Sequence, residues 1–189
     1  MAQKFNKSLN YYYSWLNHSF TAVKIEYKSL IQWSESNKKL LTRKLLTLKK
    51  TKSLDRVVHS AHNEAFNEID CLGCANCCKT TGPLLTPPDV QRISSKLKMT
   101  EKNFVQEYLR RDEDDDLVFK SMPCPFLEED NACSIYAFRP RACRAFPHTD
   151  APGQASILNL TRKNAKICPA VSRILQILSE HSWFRPFLN

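Results

Sequence analysis

Eight cysteines lie between residues 71 and 168, and four of them fall within residues 71–78. The spacing C-x-x-C-x-x-C can turn the sulfurs of Cys71, Cys74 and Cys77 toward one point from a tight loop. Gly73 removes a Cβ where that loop must wrap closely. The spacing therefore predicts that these three cysteines bind the same metal centre. Because adjacent side chains diverge, Cys78 is expected to serve a second metal, another part of a cluster, or packing.

The other four cysteines follow at wide intervals: Cys124, Cys133, Cys143 and Cys168. They do not form the second C-x-x-C pair of a zinc ribbon, whereas a triplet with a distant fourth cysteine resembles the ferredoxin-type ligation of a [4Fe–4S] cluster. Cys124 and Cys168 both precede proline, as the last ferredoxin ligand does. We therefore predict that all eight cysteines are metal ligands. We favour an iron–sulfur cluster of the [4Fe–4S] type over Zn²⁺, which would need two separate sites to use eight thiols.

The chemical state of these thiols depends on the compartment. No uncharged apolar stretch approaches the roughly 18 residues of a membrane span, and residues 1–20 lack the apolar region and cleavage site of a signal peptide. A cytoplasmic location is therefore expected, where thiols stay reduced and available to metals. Free cysteines that only pack as small hydrophobic residues are the alternative, but such residues would be scattered along the chain.

Three arginines, Arg139, Arg141 and Arg144, flank Cys143. Four thiolates around Zn²⁺, or around an oxidised [4Fe–4S] core, leave about two negative charges. Burying such a centre requires cations or N–H donors around the ligands. We therefore predict that these arginines stabilise the centre without binding the metal themselves, with ordinary surface arginines as the alternative.

His59 and His62 lie one helical turn apart, shortly before the first cysteine. Both could bind a metal, but eight thiols already suffice for the centres considered. We therefore interpret them as partly exposed helix residues.

Residues 1–70 contain no glycine, proline or cysteine. Apolar residues recur at helical spacing from Leu9 to Leu30 and again from Leu41 to Ile69. The polar residues 34–37 between these two stripes favour a turn. We predict a helical hairpin extension over residues 1–70. It could bind an unidentified protein partner as a coiled coil, although packing against the chain's own core is the favoured interpretation.

Residues 71–189 form the second predicted domain, a small cysteine-cluster metal-binding module. Helices are predicted over residues 89–98, from residue 100 onward and over residues 169–181, with short strands at residues 117–120, 126–127 and 133–136 and a turn at residues 128–131. The acidic run at residues 112–116 lacks the glycine and terminal glutamate of a calcium loop, so we interpret it as solvated. The predicted fold class is therefore mainly α, α+β.

The chain carries a formal net charge of +9, with a run of basic residues between positions 38 and 56. Such a run is compatible with nucleic acid binding. It lacks the interleaved aromatic residues on which single strands stack. A solvated helix face is the favoured interpretation, and nucleic acid is not the expected partner.

Two segments carry a family resemblance: CLGCANCC at residues 71–78 and CPFLEEDNACSIYAFRPRACRAFP at residues 124–147. Together they resemble the YkgJ-type cysteine-cluster family, also called the CxxCxxCC zinc- or iron-chelating domain, over about residues 71–168. The resemblance implies that the eight cysteines act in metal or iron–sulfur binding. It implies no settled reaction. Some members of the family are lysine methylases of flagellin, but those chains are larger.

Three classes of function remain open. The first is a metal-binding or iron–sulfur accessory protein in electron transfer or cluster handling. The second is a structural zinc module that presents a binding surface to another protein. The third is a protein-modifying enzyme, similar to a lysine methylase, that uses the cluster as cofactor. Because the three glycines are isolated, no glycine-rich nucleotide loop supports the third class, and whether the chain is an enzyme stays open.

Overall fold

The computed structural model describes residues 26–50 and 53–180, and over these residues the chain is mainly helical with one two-stranded sheet. The predicted fold class is therefore confirmed. The helices are α1 (Tyr27–Ser36), α2 (Lys38–Leu48), α3 (Leu54–Glu68), α4 (Cys71–Cys74), α5 (Asn76–Thr80), α6 (Pro87–Lys96), α7 (Glu101–Tyr108), α8 (Arg141–Ala145), α9 (Gln154–Asn164) and α10 (Pro169–Glu180), with a 3-10 turn at Tyr136–Phe138. The strands are β1 (Leu109–Arg111) and β2 (Leu117–Phe119). Within the described ranges, no helix is long and apolar enough to cross a membrane.

The helices before the cysteines follow the predicted stripes with one correction. Most of the first stripe, from Leu9, lies outside the described residues; its last part forms α1, which ends at Ser36 in the predicted polar turn. The second stripe was expected to form one helix, but α2 ends at Leu48 and the next helix begins at Leu54. In the sequence, the six-residue step from Leu48 to Leu54 departs from the three- or four-residue spacing of an apolar helix face.

A helical core lies between α1–α3 and the later helices α9 and α10. Its buried members are Leu41, Leu45, Leu48, Leu54, Val58, Ala61, Ala65, Leu158, Ala165, Val171, Ile174, Leu175 and Leu178. The stripes of α2 and α3 are therefore buried against the chain itself. Since α10 packs on α3, this core joins residues on both sides of the predicted domain boundary at residue 70, and the division itself stays a prediction.

A second, smaller core, here called the sheet core, lies under α6, α7 and the two strands. Its buried members are Leu85, Val90, Ile93, Phe104, Leu109, Phe119, Phe126 and Ile135. Strand β1 pairs antiparallel with β2, with Leu109 opposite Phe119, and the acidic residues 112–116 form the turn between them. The strands predicted at residues 126–127 and 133–136 reduce to one bridge between Leu127 and Cys133. A turn and a 3-10 turn interrupt these segments too soon for a longer ladder.

Two helices between the last cysteines were not predicted. Helix α8 has only five residues, too few to show a periodic pattern. Helix α9 buries the polar side chains of Gln154, Thr161 and Asn164 beside Leu158, so its hydrophobic stripe is weak in the sequence. Asp55 of α3 accepts hydrogen bonds from the backbone N–H groups of Gly153 (2.7 Å) and Gln154 (2.9 Å), which fixes the start of α9.

Candidate metal centre

The four clustered cysteines lie on two short helical turns, α4 and α5. The carboxylate of Asp70 accepts hydrogen bonds from the backbone N–H groups of Leu72 (3.0 Å) and Gly73 (3.1 Å) and so starts α4. Ala75 separates the two turns in a left-handed conformation with φ of 47°. This conformation is unfavourable for a residue with a Cβ, and here it redirects the chain so that α5 can carry Cys77 back toward α4.

Cys168 lies beside this loop although it is 91 residues beyond Cys77 in the sequence. The Asn76 side chain donates a hydrogen bond to the Ile167 carbonyl at 2.6 Å, which ties α5 to the segment before α10. The Cys168 backbone N–H donates to the Asn164 carbonyl at 2.8 Å, and the next residue begins α10. The fourth cysteine is thus held by the helical core.

Four of the thiols line one small cavity of about 40 Å³: Cys71, Cys74, Cys77 and Cys168. Its other walls are largely apolar and include Phe66, Ile69, Phe146 and Pro147. A single water needs roughly 10–15 Å³ of such volume, so this space exceeds the size of one small ion. The structure therefore places the predicted triplet and one distant cysteine around a common space.

The remaining four cysteines, Cys78, Cys124, Cys133 and Cys143, do not line this cavity. The backbone N–H of Cys124 donates to the carbonyl of Cys78 at 2.8 Å. Cys133 pairs with Leu127 in the single bridge, which folds the segment 124–133 back on itself. Cys143 lies on α8, ten residues after Cys133. The backbone thus links Cys78 to Cys124, while the Cys78 sulfur lies 4.0 Å from that of Cys77.

Asp89 fixes the approach of the chain to Cys143. Its side chain is only 1% exposed, and it accepts hydrogen bonds from the Thr86 backbone and hydroxyl, from the Arg92 guanidinium at 2.5 Å and from the Arg141 backbone N–H at 3.0 Å. Burial opposes its charge, but these hydrogen bonds prevail and lower the pKa of Asp89 to about 2. A charged carboxylate is therefore built into the start of α8.

Arg92 extends the same network. Its guanidinium donates to the carbonyls of Phe138 (3.4 Å) and Arg139 (3.0 Å) as well as to Asp89. The segment that precedes Cys143 is thus held at three successive points, residues 138, 139 and 141. Asp89 and Arg92 were not among the predicted site residues. The only sequence signal near them is the Thr-Pro-Pro-Asp start of α6, and this pattern is typical of a capped helix, not of a functional site.

Burial governs the acidity of the thiols around the cavity. It raises the pKa of Cys168 to about 11, with the charges of Cys71 and Cys74 adding to the rise, and it is also the main cause of the raised pKa values of Cys71 and Cys74. Cys77 lies 4.0 Å from Cys78, sulfur to sulfur; its hydrogen bond to Cys78 and its burial raise its pKa far above the usual range. Buried thiols crowded in this way become thiolates when a metal supplies positive charge.

Cys78 differs from its neighbour. The hydrogen bond from Cys77 lowers the pKa of Cys78 to about 7, although burial opposes this, and the positive charge of Lys79 contributes. The Lys79 charge also lowers the pKa of Cys74, where burial nevertheless prevails. Lys79 is a cation that the sequence analysis missed, because one lysine after a cysteine pair carries no distinctive pattern.

The three predicted arginines are placed differently. The charge of Arg139 acts on the thiols of Cys71, Cys133 and Cys143, where it partly offsets the effect of burial on each pKa. Its guanidinium lies over the ring of Tyr136, 3.9 Å from the ring centre. Arg141 and Arg144 are exposed. Over the described residues, neither of these two side chains forms a hydrogen bond or an ion pair, and their predicted role stays a prediction.

The two histidines of α3 are engaged elsewhere. His59 Nε2 lies 3.1 Å from the carbonyl oxygen of Ala151, and His62 Nδ1 lies 2.8 Å from the hydroxyl of Thr149. The His62 ring also stacks on Phe66, with 4.5 Å between ring centres. Both residues are half-buried on α3, in agreement with their interpretation as partly exposed helix residues.

The donor set suits soft metals. Thiolates select zinc and iron–sulfur clusters over hard cations, and all eight cysteines are free. Among the residues with described positions, no three His, Cys, Asp or Glu side chains are close enough together to hold a single metal ion.

Comparison with known families agrees with this chemistry. The model of the CxxCxxCC family, whose description is "Putative zinc- or iron-chelating domain", matches residues 70–169, more than half of the chain. The match begins at Asp70, which starts α4, and ends at the first residue of α10. No solved structure matches the chain. The chain belongs to the CxxCxxCC family of metal-chelating domains, whose description names zinc or iron.

Proposed function

We propose that this protein holds a [4Fe–4S] cluster on Cys71, Cys74, Cys77 and Cys168 and serves as an iron–sulfur accessory protein. The observation that carries the proposal is the cavity of about 40 Å³ that these four thiols line together. A triplet with two-residue gaps and a distant fourth cysteine followed by proline is the ligand pattern of ferredoxin-type clusters. The fold brings this distant cysteine to the triplet.

The shape of the cavity favours a cluster over one zinc ion. Four sulfurs around a tetrahedral zinc lie about 3.8 Å apart, because each Zn–S bond measures about 2.3 Å. Thiols in that arrangement leave little free volume, whereas these four line a space larger than one water requires. A [4Fe–4S] core places four irons between the thiolates and so fills a wider space.

The surrounding residues favour a buried, charged centre. When bound, an iron–sulfur cluster supplies one-electron chemistry at a potential set by charge, hydrogen bonds and solvent exposure. Phe66, Ile69 and Phe146 give the cavity an apolar wall. The charges of Arg139 and Lys79 act on Cys71 and Cys74 respectively and offset part of the negative charge that four thiolates bring.

A structural zinc module is the second candidate. The sulfurs of Cys77 and Cys78 lie 4.0 Å apart, close to the sulfur–sulfur distance of about 3.8 Å in a tetrahedral zinc–thiolate site. On this alternative the metal holds the two cores together, and the function is to present a surface to another protein. It requires the adjacent thiols of Cys77 and Cys78 to share one ion.

Metal and sulfide analysis of anaerobically purified protein tests the proposal. We expect brown wild-type protein with iron and acid-labile sulfide, and a clear loss of both in Cys168→Ala. The matched control is Ser172→Ala on α10. This change removes a buried hydrogen bond to the Ala165 carbonyl but no thiol, so the variant should keep the iron and sulfide. Colourless wild-type protein with stoichiometric zinc would overturn the proposal, as would full iron and sulfide in Cys168→Ala.

A further inference from the structure

The exposed face of α2 carries a row of positive charges. Lys39, Arg43 and Leu46 follow one another at helical spacing on this face, and Lys50 continues the row just beyond the end of the helix. We propose that this basic face binds the surface of an anionic membrane, with the side chain of Leu46 entering the lipid interface. The inference goes beyond the proposed function, because it involves no thiol and no metal.

The apolar face of α2 is already occupied within the fold. Its leucines at positions 41, 45 and 48 are buried in the helical core. The exposed cations of the helix and of the turn that ends it are Lys38, Lys39, Arg43, Lys49 and Lys50. What α2 presents to a partner is therefore mainly positive charge.

None of these five cations has an acidic partner. Over the described residues, their side chains form no hydrogen bond and no ion pair. The described acidic residues closest to α2 along the chain are engaged elsewhere, Glu35 with Lys166 at 3.3 Å and Asp55 with the start of α9. The remaining residues, 1–25, 51–52 and 181–189, contain no Asp or Glu.

Helix α9 packs against α2 and adds no negative charge. It contains no acidic residue, and its Lys163 is exposed. The two helices therefore present cations with no carboxylate between them, and a field of one sign attracts a surface of the opposite sign. At a membrane leaflet rich in anionic lipid, each Lys or Arg near the surface strengthens binding roughly fivefold.

Leu46 favours a membrane over a nucleic acid as the anionic partner. Its side chain is 65% exposed among the cations. A phosphate backbone offers no apolar counterpart to a leucine, whereas a bilayer interface accepts apolar side chains beneath its headgroups and the aliphatic stems of lysines along it. Residues 1–25 contain lysines and several aromatic residues, among them Tyr11, Trp15 and Phe20. This composition is typical of segments that bind at the membrane interface.

Co-sedimentation of the full chain with lipid vesicles tests the inference. We expect binding to phosphatidylcholine vesicles that contain about 30% phosphatidylserine, much weaker binding to pure phosphatidylcholine, and a loss of affinity as salt is added. The double variant Lys39→Glu/Arg43→Glu should bind roughly 25-fold more weakly or worse. The matched control is Lys102→Glu/Arg110→Glu, which changes the net charge equally at exposed residues of α7 and β1; it should bind nearly as tightly as wild type.

Leu46→Ser separates a membrane from other anionic partners. Because this side chain is exposed, the variant should keep the wild-type melting temperature but bind the anionic vesicles several-fold more weakly. The inference is overturned if wild-type protein does not bind these vesicles, if the two double variants bind them equally, or if Leu46→Ser binds as wild type does. Tighter binding to a DNA duplex than to the vesicles at the same salt concentration would also overturn it and assign the face to nucleic acid.

Discussion

Replacing Asp89 with asparagine tests how the fold holds the segment that carries Cys143. The folded protein lowers the pKa of Asp89 from 3.8 to about 2. Because one pKa unit corresponds to about 1.4 kcal/mol, the charged form contributes about 2 kcal/mol to the free energy of unfolding at neutral pH. An asparagine keeps one oxygen for Arg92 and Arg141 but cannot accept the two hydrogen bonds from Thr86.

The pH dependence gives this prediction its sign. A carboxylate with a lowered folded pKa stabilises the protein above the unfolded pKa of 3.8, and the contribution is lost as the pH falls through about 2. We therefore expect Asp89→Asn to unfold at lower denaturant concentration at pH 7, by about 2 kcal/mol. The difference from wild type should shrink steadily between pH 4 and pH 2.

Denaturant titrations followed by circular dichroism measure both effects. Asp114→Asn is the matched control, since Asp114 is an exposed member of the acidic turn and lies outside this network; its unfolding should match that of wild type. Equal stability of Asp89→Asn and wild-type protein at pH 7 would refute the reasoning. So would a stability difference that stays constant down to pH 2, because a charge-dependent contribution must disappear there.

Three further predictions concern the surroundings of the thiols. Arg139→Gln should speed the loss of metal to a chelator more than Arg144→Gln does, because the Arg139 charge acts on three of the thiols; equal release rates in a colorimetric chelator assay would contradict this. Burial lowers the pKa of His62 below 6.5, so the unfolded chain binds more protons and stability should fall as the pH drops below about 6.5. His62→Gln should weaken this pH dependence of the melting temperature, and an unchanged dependence would count against the prediction. Ile174→Ala, at a fully buried position of the helical core, should cost about 2–5 kcal/mol in denaturant unfolding, and a cost below about 1 kcal/mol would show that the site is not packed as described.

Local sequence signals were sufficient for much of the fold. Thr100 accepts a hydrogen bond from the Asn103 N–H and starts α7, as its position before an apolar stripe predicts. Pro87 is the first residue of α6. Proline is favoured there because its ring fixes φ at a helical value and the first turn needs no backbone N–H donor. The end of α2 at Leu48 was missed because it depends on a gap in the second apolar stripe. Helix α9 was missed because its buried face carries polar residues.

The site was only partly predictable. The spacing of the first cysteines made a common position for Cys71, Cys74 and Cys77 a reasonable expectation. The expected separation of Cys78 from them stays a prediction, since its sulfur lies 4.0 Å from that of Cys77. The choice of Cys168 as their neighbour depends on the Asn76 bond to Ile167 and on the packing of α10, which are tertiary contacts. Asp89 and Arg92 act through the backbone of residues 138–141, and no local pattern reveals such long-range hydrogen bonds.

X-ray absorption at the iron and zinc edges of anaerobically purified wild-type protein tests the central claim most directly. The proposed cluster predicts iron with sulfur neighbours and a second shell of iron, because a [4Fe–4S] core holds its irons close together. Protein without iron, whose zinc is surrounded by sulfur at about 2.3 Å, would contradict the claim.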